Sequence, residues 1–333
     1  MKKPENYTIY TKIKEKRKSI MNILTIKRMG GMFKKTKRIR GLKRRRGKKM
    51  KVIGYGDNVV DRYLNKNKMF PGGNCINFSV YAKKIGINSA YLGVFGEDVE
   101  AKRIQKALEE FGVDTSRCEV ELGSVTERCD VNINENGNRV FVQFDEREEL
   151  HGIKILTDED LEYLREFDLI HCSCYAEEES EIPKLQNMPE LRAFDFSEED
   201  EYRTDEYLEK ICPYIDFALF SCEGMKTIEI KKLLEQIHEK GVRYVLATMG
   251  SEGQMFFDGI EYYHGEAKYI QAIDTMGAGD SFFTAFLMSL LKAGWSRKQQ
   301  ATKEMIQNAF MFAADFAANN CLIEGSFGCS SEL

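Results

Sequence analysis

Short apolar runs alternate with amphipathic segments along most of the chain after Met50. The runs predict buried strands, and the segments with apolar residues every three or four positions predict helices. This order is typical of an α/β fold, in which helices cover both faces of a mostly parallel sheet. The predicted strands are 51–56, 89–94, 168–174, 191–196, 215–220 and 243–249, and the predicted helices are 74–85, 99–111, 158–166, 205–212 and 226–240.

The pattern changes to an alternation of apolar and polar residues in the segment 119–144. Asn136-Gly137 lies between the two alternating arms and is typical of a two-residue hairpin turn. We therefore expect this hairpin to form a small β-sheet with residues 62–70, separate from the main sheet.

The segment 269–291 joins an apolar run, a loop of small residues and a strongly apolar stretch. The run 269–273 predicts a strand, and residues 282–291 predict a buried helix. Between them, Gly277, Ala278 and Gly279 leave backbone N–H groups accessible at a helix N-terminus, where a phosphate is favoured. Asp280 lies in the same turn, close enough to accept a proton from a hydroxyl group that attacks phosphorus.

The alternative interpretation of this loop is an ordinary strand-to-helix turn, with glycines for geometry and Asp280 as the N-cap. A second acidic residue, Asp274, and the unbroken triplet of small residues favour the phosphoryl-transfer site instead.

A second motif supports this interpretation. Pro71-Gly72-Gly73-Asn74-Cys75-Ile76-Asn77-Phe78-Ser79 is followed by Gly86 and Gly96. Together with the 274–281 loop, it resembles the signatures of the ribokinase-like (PfkB) carbohydrate kinases, over residues 50–328. Cys75 and Thr284 depart from the small residues usual at their positions, which affects packing rather than chemistry.

The resemblance implies a ribokinase-like three-layer α/β/α domain with a central, mostly parallel sheet. It also implies a small β-sheet lid, from about 62–70 and 119–144, that closes over the sugar and often mediates dimerisation. Residues 329–333 would then be a tail. The reaction implied is transfer of a phosphoryl group from ATP to a sugar hydroxyl, with Mg²⁺.

On the acceptor side, the resemblance assigns Asp61 to the sugar hydroxyls, with Gly73, Asn74 and Asn77 as a second wall of the pocket. Carboxylates and side-chain amides suit polyols because they accept or donate several hydrogen bonds. Asp61 in a solvated turn and Asn74 as a helix cap are the alternatives. Whether Asp57 is structural or contacts the substrate stays open.

On the ATP side, the stretch 248–253 follows a predicted strand and resembles the nucleotide loop of the family. Thr248, Gly250 and Gly253 are its candidate ATP contacts, with Asp274 from the later loop. The resemblance also makes Gly277, Ala278 and Gly279 an anion hole and Asp280 the catalytic base. No Gly-Lys-Ser/Thr sequence is present, so this is not a Walker A site.

The metal ligands are less defined. Many relatives have an Asn-x-x-Glu near the Mg²⁺–phosphate site, whereas this chain reads Phe220-Ser221-Cys222-Glu223-Gly224. Glu223 is a weak candidate ligand because the asparagine is missing.

The substrate follows from resemblance alone. The two signatures together with Phe194-Asp195-Phe196-Ser197 resemble most the fructoselysine 6-kinases of the family, which phosphorylate the 6-hydroxyl of a glycated lysine. Near the lid, acidic residues could receive the amine and Arg139 or Arg147 the carboxylate; the acidic residues are Asp145, Glu146, Glu148 and Glu149. A solvated charge run at the lid edge is the alternative. Glucoselysine, fructose, ribose or a nucleoside is the rival acceptor.

Composition agrees with a large core and a reducing compartment. The 333 residues are 43% hydrophobic, and no apolar run reaches the ~18 residues that span a bilayer. Nine scattered cysteines without Cys-x-x-Cys pairs indicate reduced thiols and a cytoplasmic location, not a disulfide framework or zinc site.

Charge separates the first 49 residues from the rest. Residues 1–50 hold 20 Lys and Arg against 2 Glu, and the remainder holds 29 against 51 acidic residues. Such a block repels itself and is expected to be disordered alone. It is either a mis-assigned start or dispensable extension, or a basic arm that binds nucleic acid. The first is favoured because the sequence from Met50 resembles an ordinary start of the family. The second would make the chain a nucleic-acid-associated protein.

Removal of residues 1–49 is expected to leave folding and turnover of the purified protein unchanged. Circular dichroism and ATP-dependent phosphorylation, compared with the full chain, test this. Loss of either would contradict dispensability, and salt-sensitive retention on nucleic acid by the full chain alone would support the arm.

Overall fold

A computed structural model describes residues 49–134, 139–144 and 151–333. Several predicted features lie outside these residues: the basic block 1–48, the Asn136-Gly137 turn, and the charged residues Asp145, Glu146, Arg147, Glu148 and Glu149. The Arg139 side chain lies outside them as well.

The main sheet has eight strands. Numbered along the chain, they are β1 Lys51–Tyr55, β4 Asn88–Leu92, β9 Leu169–Ser173, β10 Leu191–Asp195, β11 Phe217–Ser221, β12 Tyr244–Thr248, β13 Gln254–Phe257 and β14 Tyr262–Gly265. Their order in the sheet is β14-β13-β12-β11-β10-β9-β1-β4. The six strands from β12 to β4 pair in parallel, and the two at one edge, β13 and β14, pair antiparallel. The mostly parallel sheet predicted from the sequence is confirmed.

Helices cover both faces of this sheet, as expected. They are α1 Asn74–Lys84, α2 Val99–Phe111, α3 Asp158–Leu164, α4 Asp205–Ile211, α5 Thr227–Glu239, α6 Ala278–Ala293 and α7 Lys303–Asn320. Consecutive residues of β1 point to opposite faces, because side chains alternate along a strand. Val52 belongs to a core with Phe286 of α6, and Ile53 belongs to a core with Leu234 of α5. Two apolar cores therefore enclose the sheet.

A smaller five-stranded sheet, in the order β15-β3-β2-β7-β8, confirms the predicted second sheet. Its strands are β2 Val59–Tyr63, β3 Lys68–Gly72, β7 Glu127–Ile133, β8 Arg139–Phe144 and β15 Ser331–Glu332. Its core includes Tyr63, Phe70 and Val131, and Met276 from the loop before α6 packs against them. The second sheet therefore contacts the loop that was predicted to hold phosphate.

The bounds of this second sheet differ from the sequence-based ones at two places. Glu119–Val120 (β6) pairs with Val94–Phe95 (β5) instead of joining the second sheet. Ser331–Glu332, expected to be part of a tail, pairs antiparallel with β3. Both pairings join segments distant in sequence, so local alternation could not predict them.

The strand predicted for 269–273 is wrong: the segment is irregular. Tyr269 is 91% exposed and Ile273 is 49% exposed, so this apolar run is not covered by a neighbouring strand. The N–H of Ile273 donates to the Cys321 carbonyl at 2.8 Å, which ties the run to the end of α7 rather than to a sheet.

All nine cysteines lie in the described residues, and none of them forms a disulfide bond there. In the described residues, no helix combines the length and apolar character needed to cross a bilayer.

Candidate active site

The carboxyl ends of the parallel strands bring the predicted site residues to one edge of the main sheet. β1 is followed by Asp57, β10 ends at Asp195, and β12 ends at Thr248. The chain leaves β1 towards β4 on one side and later adds β9 on the other side. Open α/β sheets bind ligands at such a switch point, because connections diverge there and leave a crevice.

Asp57 holds the N-terminus of α1. Its Oδ2 accepts a hydrogen bond from the N–H of Asn74 at 2.6 Å, and its Oδ1 accepts from the N–H of Cys75 at 3.2 Å and from Ser173 Oγ at 3.1 Å. The carboxylate thus satisfies helix N–H groups that otherwise have no partner. These hydrogen bonds give Asp57 a structural role at the start of α1.

Gly73 makes this contact possible. Its φ of 105° lies in a region of backbone conformation that residues with a Cβ atom rarely adopt. A Cβ at this position would lie 2.9 Å from Asp57 Oδ2 and 3.0 Å from the Asn58 Cα. Gly73 therefore sets the close approach of strand and helix; Asn74, one residue later, is half-buried and capped by Asp57.

The loop before α6 is anchored by Asp274, which was predicted to contact ATP. Its side chain is 1% exposed, and its Oδ2 accepts from Tyr63 Oη and from the N–H of Gly325, each at 2.7 Å. Oδ1 accepts from the N–H of Met276 at 2.9 Å. In this arrangement Asp274 holds the second sheet, the loop and the C-terminal segment together.

The three small residues predicted to form an anion hole lie at the start of α6. Gly277 is its N-cap, and Ala278 and Gly279 are its first two residues. Gly277 adopts a left-handed conformation with φ 70°, and a Cβ there would clash with Tyr81 Oη. The N–H of Ala278 donates to the Thr275 carbonyl at 3.1 Å, so it is used within the loop. Gly279 is exposed, with no atom within 4 Å of the place a Cβ would take. Gly279 is therefore the most accessible of the three predicted donors.

Asp280, in the first turn of α6, is joined to α1 by Asn77. The Asn77 Nδ2 donates to Asp280 Oδ2 at 2.7 Å and to Ser326 Oγ at 3.3 Å. Asn77 Oδ1 is buried and has no hydrogen-bond donor within the described residues. A buried acceptor without a donor is unusual and has the capacity to accept a hydrogen bond from a water molecule or a ligand hydroxyl group.

Asp61 lies in the middle of β2 and is buried. A Cβ on Gly72 would meet its Oδ2, so the glycine allows β3 to pass close to this carboxylate. The structure thus brings Asp61, Gly73, Asn74 and Asn77 onto two adjoining segments, β2–β3 and the first turn of α1.

The predicted nucleotide loop turns tightly after β12. The N–H of Met249 donates to the Gly253 carbonyl at 2.9 Å, and Gly250–Glu252 form a 3₁₀ turn. Gly250 is exposed and Gly253 is buried, each with positive φ. A Cβ on Gly250 would lie 2.5 Å from Glu223 Oε1, so the candidate metal ligand lies directly against this loop.

Sequence reasoning assigned no site role to two residues: Asp195, which it named only as part of the 194–197 motif, and Ser326, which it did not name. Asp195 is buried at the end of β10, where its Oδ2 lies 3.4 Å from Asn74 Nδ2. Ser326 is buried beside Asn77, and its carbonyl accepts from Tyr81 Oη and from Asn320 Nδ2. An acidic residue at the end of a predicted strand could have indicated Asp195, whereas nothing near Ser326 in the sequence indicates its position.

Burial raises the pKa of the Asp195 carboxyl well above its usual range, and the negative charge of Asp280 raises it further. The neighbouring carboxyls therefore disfavour the ionised form of Asp195.

Comparisons with known proteins find relatives that match most of this chain. Residues 47–331 match the model of the pfkB family carbohydrate kinases. The chain is 32% identical over 282 residues to the fructosamine kinase FrlD of Bacillus subtilis (strain 168), covering 84% of this chain and 93% of that protein. It is 33% identical over 246 residues to the fructoselysine 6-kinase of Escherichia coli (strain K12), covering 72% and 87%. The fold is similar to Arabidopsis thaliana ribokinase complexed with ribose and ATP, with a TM-score of 0.65 at 18% identity, covering 85% and 94%.

Substitution of Asp57 by Ala is expected to lower the free energy of unfolding by about 1–3 kcal/mol, because buried N–H donors of α1 lose their acceptor. Urea denaturation followed by circular dichroism measures this. Asp158→Ala, which removes an exposed carboxylate from the first turn of α3, is the matched control, expected within about 0.5 kcal/mol of wild type. Equal stability of the two variants would contradict the structural role of Asp57.

Proposed function

This chain belongs to the pfkB family of carbohydrate kinases, and we propose that it transfers the γ-phosphoryl group of ATP to the 6-hydroxyl of fructoselysine. The observation that carries the proposal is the Asn77 amide, which donates to Asp280 while its buried Oδ1 has no donor among the described residues. A sugar hydroxyl group at this place can donate to Asn77 and lie beside the Asp280 carboxylate.

Asp280 is the proposed catalytic base. It is half-buried, and its Oδ2 is held at 2.7 Å by Asn77, so the carboxylate is oriented before the substrate arrives. Accepting the proton of the 6-hydroxyl as the oxygen attacks phosphorus is a role that a positioned carboxylate performs. Asp61, Gly73 and Asn74 would hold the remainder of the sugar.

The proposed ATP path follows the loop from Thr248 through Gly250 to Gly253 and ends at α6. There, the exposed N–H of Gly279 and the partial positive charge of the helix N-terminus would stabilise the transferred phosphoryl group. Gly277, Ala278 and Asp274 act by shaping this loop. Phosphoryl transfer has a loose transition state, so positioning and charge stabilisation supply most of the rate enhancement.

The residues at the nucleotide loop fit Mg²⁺ carried with ATP. Mg²⁺ is usually held by one or two carboxylates together with substrate phosphates. The Glu223 carboxylate lies against Gly250, and the described residues contain no group of three or more metal-binding side chains that would hold the ion by themselves. Glu223 would hold the ion, and bound Mg²⁺ would neutralise phosphate charge.

The choice of fructoselysine is supported by two relatives, a fructosamine kinase and a fructoselysine 6-kinase, at 32% and 33% identity. Free cysteines support a reducing, cytoplasmic location for the reaction.

A homodimer through the second sheet is part of the proposal. Val140 and Val142 are half-exposed on β8, which is the edge strand of that sheet. Among the described residues no strand pairs with the outer side of β8, and exposed apolar side chains at such an edge support association with another chain.

The Met50-start protein is expected to phosphorylate fructoselysine with a higher kcat/KM than glucoselysine, fructose, ribose or adenosine, in the presence of ATP and Mg²⁺. A coupled assay of ADP release measures this. Preference for another sugar of the panel would overturn the substrate and keep the kinase, and no turnover on any of them would count against the proposed reaction.

Substitution of Asp280 by Asn is expected to lower kcat by roughly 10²–10⁴-fold, because the base is lost while its shape is kept. ATP binding, measured by calorimetry, should remain. Asp200→Asn, at an exposed position, is the control. Turnover of the Asp280 variant near that of wild type would eliminate Asp280 as the base.

A further inference from the structure

The Asp195 carboxylate has two neutral hydrogen-bond donors. Its Oδ1 accepts from the N–H of Ser197 at 2.8 Å, and its Oδ2 lies 3.4 Å from Asn74 Nδ2. The second of these bonds is long, so Oδ2 retains the capacity to accept a stronger hydrogen bond. Because Asn74 is a predicted sugar contact, this oxygen lies beside the proposed acceptor pocket.

The surroundings of Asp195 favour a positively charged ligand. The side chain is 5% exposed, and burial is the main cause of its raised pKa. The charged groups that raise its pKa further are Asp280, Asp57 and Glu199, all of which are carboxyls. Burying a carboxylate near like charges is costly, and a cation nearby stabilises the ionised form. A neutral sugar hydroxyl would not supply that charge.

The first turn of α1 contacts both the Asp195 carboxylate and the proposed base, Asp280. Asn74 contacts Asp195, and Asn77 contacts Asp280. Residues three apart on a helix lie on the same face, about 5–6 Å apart. Asn74 and Asn77 therefore hold two carboxylates, those of Asp195 and Asp280, beside one face of α1.

We propose that Asp195 determines specificity by accepting a hydrogen bond from a protonated amine on C1 of the acceptor, so that the enzyme prefers glycated amines to neutral ketoses. This inference rests on the proposed function, in which the 6-hydroxyl at the other end of the sugar lies at Asp280. Asp195 lies at the end of β10 in the main sheet.

Two sugars of nearly equal size test whether the charge at C1 determines the preference. One is 1-deoxy-1-(methylamino)fructose, which is a cation at neutral pH, and the other is 1-O-methylfructose, which is neutral. Wild-type protein should have the higher kcat/KM for the amine. Asp195→Asn keeps the shape and removes the charge. It should lose roughly 10–100-fold in kcat/KM for the amine, as expected for a hydrogen bond to a charged group, and little for the ether.

Asp200→Asn, an exposed carboxylate on the segment after β10, controls for a general change in charge near the pocket and should keep the wild-type preference. An equal loss on both sugars in Asp195→Asn would overturn the proposal, because a structural or metal-binding role predicts that result. If Asp195→Asn does not fold, the wild-type protein decides the question. A kcat/KM for the amine that is equal to or lower than the kcat/KM for the ether would then overturn the proposal.

The two hypotheses fail in different ways. Wild-type turnover of both sugars without preference would overturn the role of Asp195 and leave the kinase assignment intact. Absence of turnover on either sugar, and on fructoselysine, would overturn the proposed function and with it this inference.

Discussion

Asn77 and Asp280 are 203 positions apart in the sequence, and the hydrogen bond between them joins the first turns of two helices. Both helices begin at a glycine with positive φ, Gly73 and Gly277, and both N-termini lie at the same edge of the sheet. Two positive helix ends that meet at one place attract acidic groups and phosphates. The proposed base Asp280, the exposed residue Gly279 and the proposed sugar contact Asn77 all lie at this junction.

The segments around the junction are tied to it by buried hydrogen bonds. Tyr63 brings the second sheet to Asp274, and the N–H of Gly325 brings the C-terminal segment to the same carboxylate. Ser326 then reaches Asn77. Buried polar groups with satisfied partners specify one arrangement, since each unsatisfied alternative would cost about 1–3 kcal/mol. The loop that the phosphate would approach is therefore held from three sides.

Two buried carboxylates near α1 differ in how well they are satisfied. Asp57 accepts from two helix N–H groups and from Ser173, which is sufficient for a structural anion. Asp195 has one good backbone donor and one long side-chain contact, next to other carboxyls. This contrast is the physical basis for assigning the first to the fold and the second to ligand recognition.

The sequence by itself determined the fold class and the two glycine motifs, because buried strands, helix N-termini and close backbone approaches leave local patterns of apolar and small residues. The expected ligand contacts of Asp61, Asn74, Asn77 and the 248–253 loop, and the role of Asp280 as the base, came from sequence motifs and the resemblance to the family, and they remain predictions.

Only the tertiary structure decided what lies next to what. Asp57 binds the N-terminus of α1, and Asp274 is buried where three segments meet. The apolar run 269–273 is not part of a sheet. Asp195 lies next to Asn74, and Ser326 lies next to Asn77. These relations depend on hydrogen bonds and burial between residues far apart in the chain. Local composition carries no record of such partners, because the same carboxylate can cap a helix, anchor a loop or face a ligand.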